Sequence, residues 1–174
     1  MVSKHQISVG IVMGSGSDRE TMEPAKDIFE KFDVSFAAAV ASGHRTRERV
    51  EKIVEEYHSR GCRVFIGVAG MAAHLSGILA SLTAYPVIGV PICSRPSQYL
   101  GGMDALLSTV QMPPGFPVGT MTIDGATNAA IFAIEILALN DPGLMQKLLS
   151  YRKKMEIKVL DDDVKLHKDY GWPK

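Results

Sequence analysis

The sequence has no charge surplus of either sign. Its 19 Lys and Arg residues match its 19 Asp and Glu residues, for a formal net charge of +0. That balance leaves no basic field for a nucleic acid, so no nucleic-acid partner is expected. Cysteine is nearly missing too. Cys62 and Cys93 stand far apart, with no Cys-x-x-Cys pair and no zinc-like spacing. A disulfide scaffold is excluded, and a reduced cytoplasmic protein fits best. Long hydrophobic runs are also absent. The most apolar stretch, residues 64–93, is interrupted by His74, Ser76 and Pro86. Glycine-rich turns at its ends make it strand–helix–strand, so no membrane partner is expected. The opening residues, MVSKHQISVGIVMG, are too short in apolar length for a good signal peptide. There is no internal repeat and no low-complexity linker.

What the sequence does have is apolar residues, 46% of 174. A chain of this length is expected to form one domain over residues 1–174, with an α/β core at about 7–140 and a C-terminal helical arm at about 141–174. The apolar excess is assigned to a buried sheet and to subunit interfaces. Short β-branched runs predict strands at 7–13, 34–40, 64–68, 87–90 and 118–123, the fourth ended by Pro91. Apolar residues at the 3.6 period predict helices at 19–31, 47–60, 74–83, 103–110, 128–139 and 141–167. Residues 94–102 read as a polar loop, and 112–117 as a rigid turn.

Strands alternating with helices predict a three-layer, doubly wound parallel sheet. Right-handed crossovers and five strands favour the flavodoxin-like order 2-1-3-4-5. Ligands of such sheets sit outside the carboxyl ends of the strands, at the point where the order reverses. Loops 14–18, 42–46 and 69–76 would converge there.

The chemistry-bearing residues fall on those loops. VMGSGSD follows the first strand. Gly14, Ser15, Gly16 and Ser17 open a helix, whose N-terminus favours anions. Asp18 would repel a phosphate but suits ribose hydroxyls as an acceptor. The plainer alternative is a turn capped by Ser17 or Asp18. ASGHRT follows the second strand. There Arg45 can clamp a phosphate, beside Ser42, and His44 offers an imidazole, the usual proton shuttle near neutrality. An N-cap serine with solvated neighbours is the alternative. His74 either points into the crevice or caps a helix. His5, His58 and His167 read as surface residues, and Asp161, Asp162 and Asp163 as a solvated helix segment rather than a metal site.

Together, VMGSGSD, SGHRT, AGMAAHLSG, MDALLSTVQMPPGFPVGT and the Asn128-Ala129-Ala130 helix resemble the 5-(carboxyamino)imidazole ribonucleotide mutases of purine biosynthesis, over about residues 9–151. The resemblance implies a flavodoxin-like core, a homo-oligomer (usually an octamer), and no metal or organic cofactor. It implies a phosphorylated ribonucleotide as the small-molecule substrate. Ser15, Asp18, Ser42 and Arg45 match the phosphate and ribose contacts, His44 the proton-shuttling histidine, and His74 a second active-site histidine. Three departures meet at the loops: Gly43 replaces a usual alanine, Met71 a glycine and Ser76 a proline. Residues 95–102 read as longer than the usual loop. Arg45 favours the mutase branch over the related carboxylases, which use free carbon dioxide and tend to carry lysine there. The other readings are a carboxylase or divergent relative acting on another nucleotide, and a non-catalytic nucleotide-binding module. Loss of His44 or Arg45 would have favoured the last.

Overall fold

Strand β1, Val9–Met13, is buried along its whole length. So is β4, Val87–Ile92, and β3, Val64–Gly70, is buried until its last two residues. Continuous burial marks strands covered on both faces, as parallel sheets require. The partly exposed β2, Phe36–Val40, and the short β5, Gly119–Thr120, are the edges. The computed structural model describes residues 6–94 and 99–171, and in it the five strands form one sheet in the order β2-β1-β3-β4-β5. Every ladder is parallel, with Val9 opposite both Phe36 and Val64, Phe65 opposite Val87, and Ile88 opposite Gly119. The predicted order is the observed one.

The helices are α1 (Arg19–Phe32), α2 (Arg47–Ser59), α3 (Leu75–Leu82), α4 (Met103–Val110), α5 (Ala126–Ala138) and α6 (Pro142–Tyr170). A 3-10 turn at Gly16–Asp18 precedes α1. The helices cover both faces of the sheet. On one face α2 and α3 bury Val50, Ile53, Val54, Leu75 and Leu79 in a common cluster with Val12 and Phe65. On the other, Phe29 of α1 packs against Phe36 of β2 with ring centroids 5.3 Å apart. Among the described residues no helix is long and apolar enough to cross a membrane.

Three boundaries differ from expectation for physical reasons. Strand β4 runs through Pro91, which pairs with Ala69. Because β5 pairs only at Ile88 and Gly89, Pro91 lies where the strand has become an edge, and a missing N–H is tolerated there. The expected strand at 118–123 shrinks to two residues. Asp124 turns left-handed at φ 55, Gly125 N–H bonds the Thr122 carbonyl, and the Asp124 carboxylate accepts from Cys93 N–H at 3.0 Å. His58, expected on the surface, packs its ring against Phe65 and Tyr85, with Nε2 buried and without a hydrogen-bond partner among the described residues. His5 and the first half of the 95–102 loop fall on residues 1–5 and 95–98, outside the described residues.

The chain divides into two compact units after Leu137. The second is dominated by α6, whose ends carry the expected signals. Asp141 caps the N-terminus by accepting from Leu144 N–H at 3.0 Å, Pro142 occupies the first turn, and Gly171 ends the helix at φ 61.

Candidate active site

The ends of β1, β2, β3 and β4 open into a cleft of about 470 Å³ at the switch point between β1 and β3. Its walls hold Ser15, Asp18, Ser42, His44 and Arg45 from the two expected loops, and Met71 after β3. Five of the six anticipated site residues therefore share one cavity. The sixth, His74, stands behind them. Its Nδ1 lies 3.0 Å from His44 Nε2, and the rings meet edge to face with centroids 5.1 Å apart. His74 also lines a second cavity of about 450 Å³ beside α3 and α4, with Ile78, Ser108 and Gln111. One ring must donate and the other accept, so the contact holds a single proton between two imidazoles.

The first loop is tied more tightly inward than its sequence suggests. Gly14 N–H bonds the Val68 carbonyl at 2.8 Å, and Asp18 N–H bonds the Ser15 carbonyl. Ser15 N–H goes to Asp18 Oδ2 at 3.0 Å, and Ser17 N–H to Ser15 Oγ at 3.3 Å. Three of the four N–H groups of the Gly14–Ser17 loop are thus spent internally, that of Gly14 on β3 and those of Ser15 and Ser17 within a capped turn. Ser15, not Ser17, is the cap of this turn. Its Oγ also accepts from the Ser17 hydroxyl at 2.9 Å, which leaves its own proton to donate. Asp18 begins α1 without a side-chain cap bond of its own. It is only 4% exposed. Burial raises its carboxyl above the usual range, while the bonds from Ser15 and Ser17 pull it partly back.

The second loop is the more open of the two. Thr46 Oγ1 accepts from Ser42 N–H at 2.9 Å, closing a turn with Thr46 N–H on the Ser42 carbonyl. Ser42 Oγ accepts from Arg45 N–H and Nε, each at 3.3 Å. The guanidinium is held by its Nε edge, so its terminal nitrogens remain presentable to an anion. Gly43 matters for packing: a Cβ there would lie 2.5 Å from Ile78 Cδ1. Met71 adopts a left-handed backbone at φ 56 with its side chain 50% exposed.

Cys62 plays no nucleophilic part. Burial pushes its thiol up to about 11. Sequence reasoning left out Ser94, which also lines the cleft. Its signal was positional: it comes just after β4, at the same carboxyl edge as the other loops. Asp161, Asp162 and Asp163 are exposed on α6, as expected, though His167 lies 3.4 Å from Asp163.

A doubly wound sheet with a histidine pair, an arginine and serines at its switch point defines a flavodoxin-like enzyme that takes an anionic small molecule at its carboxyl edge. Comparison with known proteins gives the same class. The chain belongs to the AIR carboxylase family, whose profile matches residues 8–158. It is 52% identical over 156 residues to the N5-carboxyaminoimidazole ribonucleotide mutase of Methanocaldococcus jannaschii, covering 90% of this chain and 95% of that protein. The mutase of the same name from Pyrococcus abyssi is 49% identical, with 90% and 88% covered. Among solved structures, Treponema denticola PurE superposes with a TM-score of 0.79 at 28% identity, over 92% of this chain and 99% of that one.

Proposed function

We propose that this chain converts N5-carboxyaminoimidazole ribonucleotide to 4-carboxy-5-aminoimidazole ribonucleotide, a carboxyl-shifting step of purine biosynthesis in the cytoplasm. The observation that carries the reading is the His44–His74 contact of 3.0 Å at the edge of a cleft that also holds Ser42 and Arg45. Arg45 and Ser42 take the 5′-phosphate. The Ser15 hydroxyl and the Asp18 carboxylate, set at the other wall, take the ribose side.

The reaction needs one proton delivered and one removed. The carbamate carbon–nitrogen bond breaks, carbon dioxide leaves, and the bonding pair stays on nitrogen. His44 gives that nitrogen a proton. The ring carbon then attacks the trapped carbon dioxide, and His44 takes the proton which that carbon loses. One imidazole serves both directions, because the neutral ring left after it gives its proton is the base that takes the next one. His74 holds the ring of His44 and shares the proton at their contact. Trapping carbon dioxide requires that water be kept from the cleft. The residues assigned here need no metal or organic cofactor to do this.

We also assign the protein to a homo-oligomer, an octamer in the first instance. Phe116, Phe132, Leu107 and Val110 are exposed large apolar residues of the first unit, a surplus that a further copy would cover.

Incubating the protein with the carbamate nucleotide and following product absorbance tests the function. Turnover without added bicarbonate supports the mutase. Turnover only of the aminoimidazole ribonucleotide with carbon dioxide would assign the carboxylase chemistry instead. Binding without turnover would leave a nucleotide-binding module.

A further inference from the structure

Three walls bound the cleft, and two of them have a part of the substrate assigned. The first loop takes the ribose side; the second takes the phosphate and carries His44. The reacting nitrogen and ring carbon must lie within reach of His44. The substrate's imidazole ring therefore faces the remaining wall, made of the end of β3, the residues leading into α3, and Ser94. That wall is uncharged. Ala69 and Ala72 are small, and Leu75 is buried in the core. Gly70 abuts the turn after β4, where a Cβ would lie 2.9 Å from Ser94 Cβ. Among the described residues of this wall, Met71 is the one long side chain left to reach over the cleft, and it is half-exposed. Its backbone is left-handed at φ 56, a conformation that disfavours any side chain. Strain kept at a cleft points to a use for the side chain that causes it.

We infer, on the nucleotide reading given above, that the Met71 thioether packs on the face of the substrate's imidazole ring and adds selectivity for the base. A thioether is flexible and polarisable, and sulfur against an aromatic ring is favourable beyond the apolar area it covers. The aminoimidazole is a flat heteroaromatic ring, so dispersion over its face can hold it where the wall offers no charge. A ring held against Met71 keeps its edge, with the exocyclic nitrogen and the reacting carbon, turned to His44. Arg45 and Ser42 recognise the phosphate and Ser15 and Asp18 the ribose; Met71 recognises what distinguishes this nucleotide from a bare sugar phosphate.

The test is binding in carbonate-free buffer, with two probes. Aminoimidazole ribonucleotide carries the base and cannot be carboxylated there. Ribose 5-phosphate lacks the base. By calorimetry, Met71→Ala should bind the nucleotide roughly threefold to tenfold more weakly than the parent, with its affinity for ribose 5-phosphate unchanged. Met71→Leu keeps the bulk and should recover most of the loss. Both variants keep a side chain on the left-handed backbone, so relief of strain does not enter. A second readout is spectroscopic. With the methionine methyl groups labelled with carbon-13, the Met71 proton signal is identified by its absence in Met71→Leu. It should move upfield when the nucleotide is added and stay in place with ribose 5-phosphate. An alanine variant that binds the nucleotide as the parent does, an equal loss for both probes, or a methyl signal the nucleotide leaves unmoved would overturn the Met71 contact and leave the nucleotide reading standing. A parent that binds neither probe would overturn that reading, and the Met71 contact with it.

Discussion

Asp18 is a carboxylate the fold would rather hold neutral. Its buried carboxyl lies above the ordinary value of 3.8, with burial the main cause. A raised acid favours the folded state in its protonated form. That contribution is complete below 3.8 and is lost as pH rises through the folded value, so at neutral pH the charged group opposes folding. Asn is the neutral analogue, and the Ser15 N–H can still be accepted by its carbonyl oxygen. Asp18→Asn should therefore melt higher than the parent at pH 7, with the gap closing as pH falls below about 4, while nucleotide affinity drops. A melting series across pH checks it, and a gap of constant size contradicts it. Arg45→Ala should weaken nucleotide binding by about 2 kcal/mol, the scale of a charge-assisted hydrogen bond. Calorimetry with the nucleotide and with its dephosphorylated nucleoside decides this. Equal losses for both would remove the phosphate from Arg45. The residue types at the site were legible because loops after parallel strands meet at one edge. The burial of Asp18 and the inward use of its loop's N–H groups were not, since both depend on how β1 and β3 lie side by side. His58 was misread for a similar reason: its sequence neighbours are charged, and only the fold brings Phe65 and Tyr85 against its ring.

At the scale of elements, the three departures from the usual family pattern lie on or beside the cleft loops, but they differ in kind. Gly43 is matched to α3: a Cβ there meets the tip of Ile78 at 2.5 Å. Gly43→Ala alone should cost about 1 kcal/mol through overpacking, and much of that loss should vanish in an Ile78→Val background. Denaturant unfolding of the four proteins in this cycle reads the coupling, and strictly additive effects would deny the contact. Met71 sits at φ 56, where a side chain pays a penalty that glycine avoids. Met71→Gly should stabilise the fold by about 1 kcal/mol, and an unchanged midpoint would argue against strain at this turn. Ser76, in the first turn of α3, is 2% exposed, and a proline is tolerated by the backbone there. Assaying the three reversions together beside the parent shows whether these positions tune activity or leave it unchanged. Sheet order and helix count were readable from apolar periodicity because the central strands β1, β3 and β4 are buried along nearly their whole length. Strand ends were less so. The end of β5 is set by the turn at Asp124 and its bond to Cys93, a contact between residues distant in sequence.

For the whole molecule, the apolar surface of the first unit and the long α6 both point to assembly. Light scattering at micromolar concentration should return a mass several times that of one chain, with an octamer the expected state. A monomer would contradict it. Removing residues 152–174 should lower that mass or weaken the assembly on dilution. Assembly and chemistry are separable, however, and the central claim is the chemistry. The measurement that tests it most directly is the rate at which purified protein and its His44→Asn variant convert N5-carboxyaminoimidazole ribonucleotide to the 4-carboxy isomer. The expected result is turnover by the parent without added bicarbonate and a fall of roughly two to four decades in the variant, with melting behaviour preserved. A parent that leaves the nucleotide unchanged, or a variant that keeps near-normal turnover, would contradict the account.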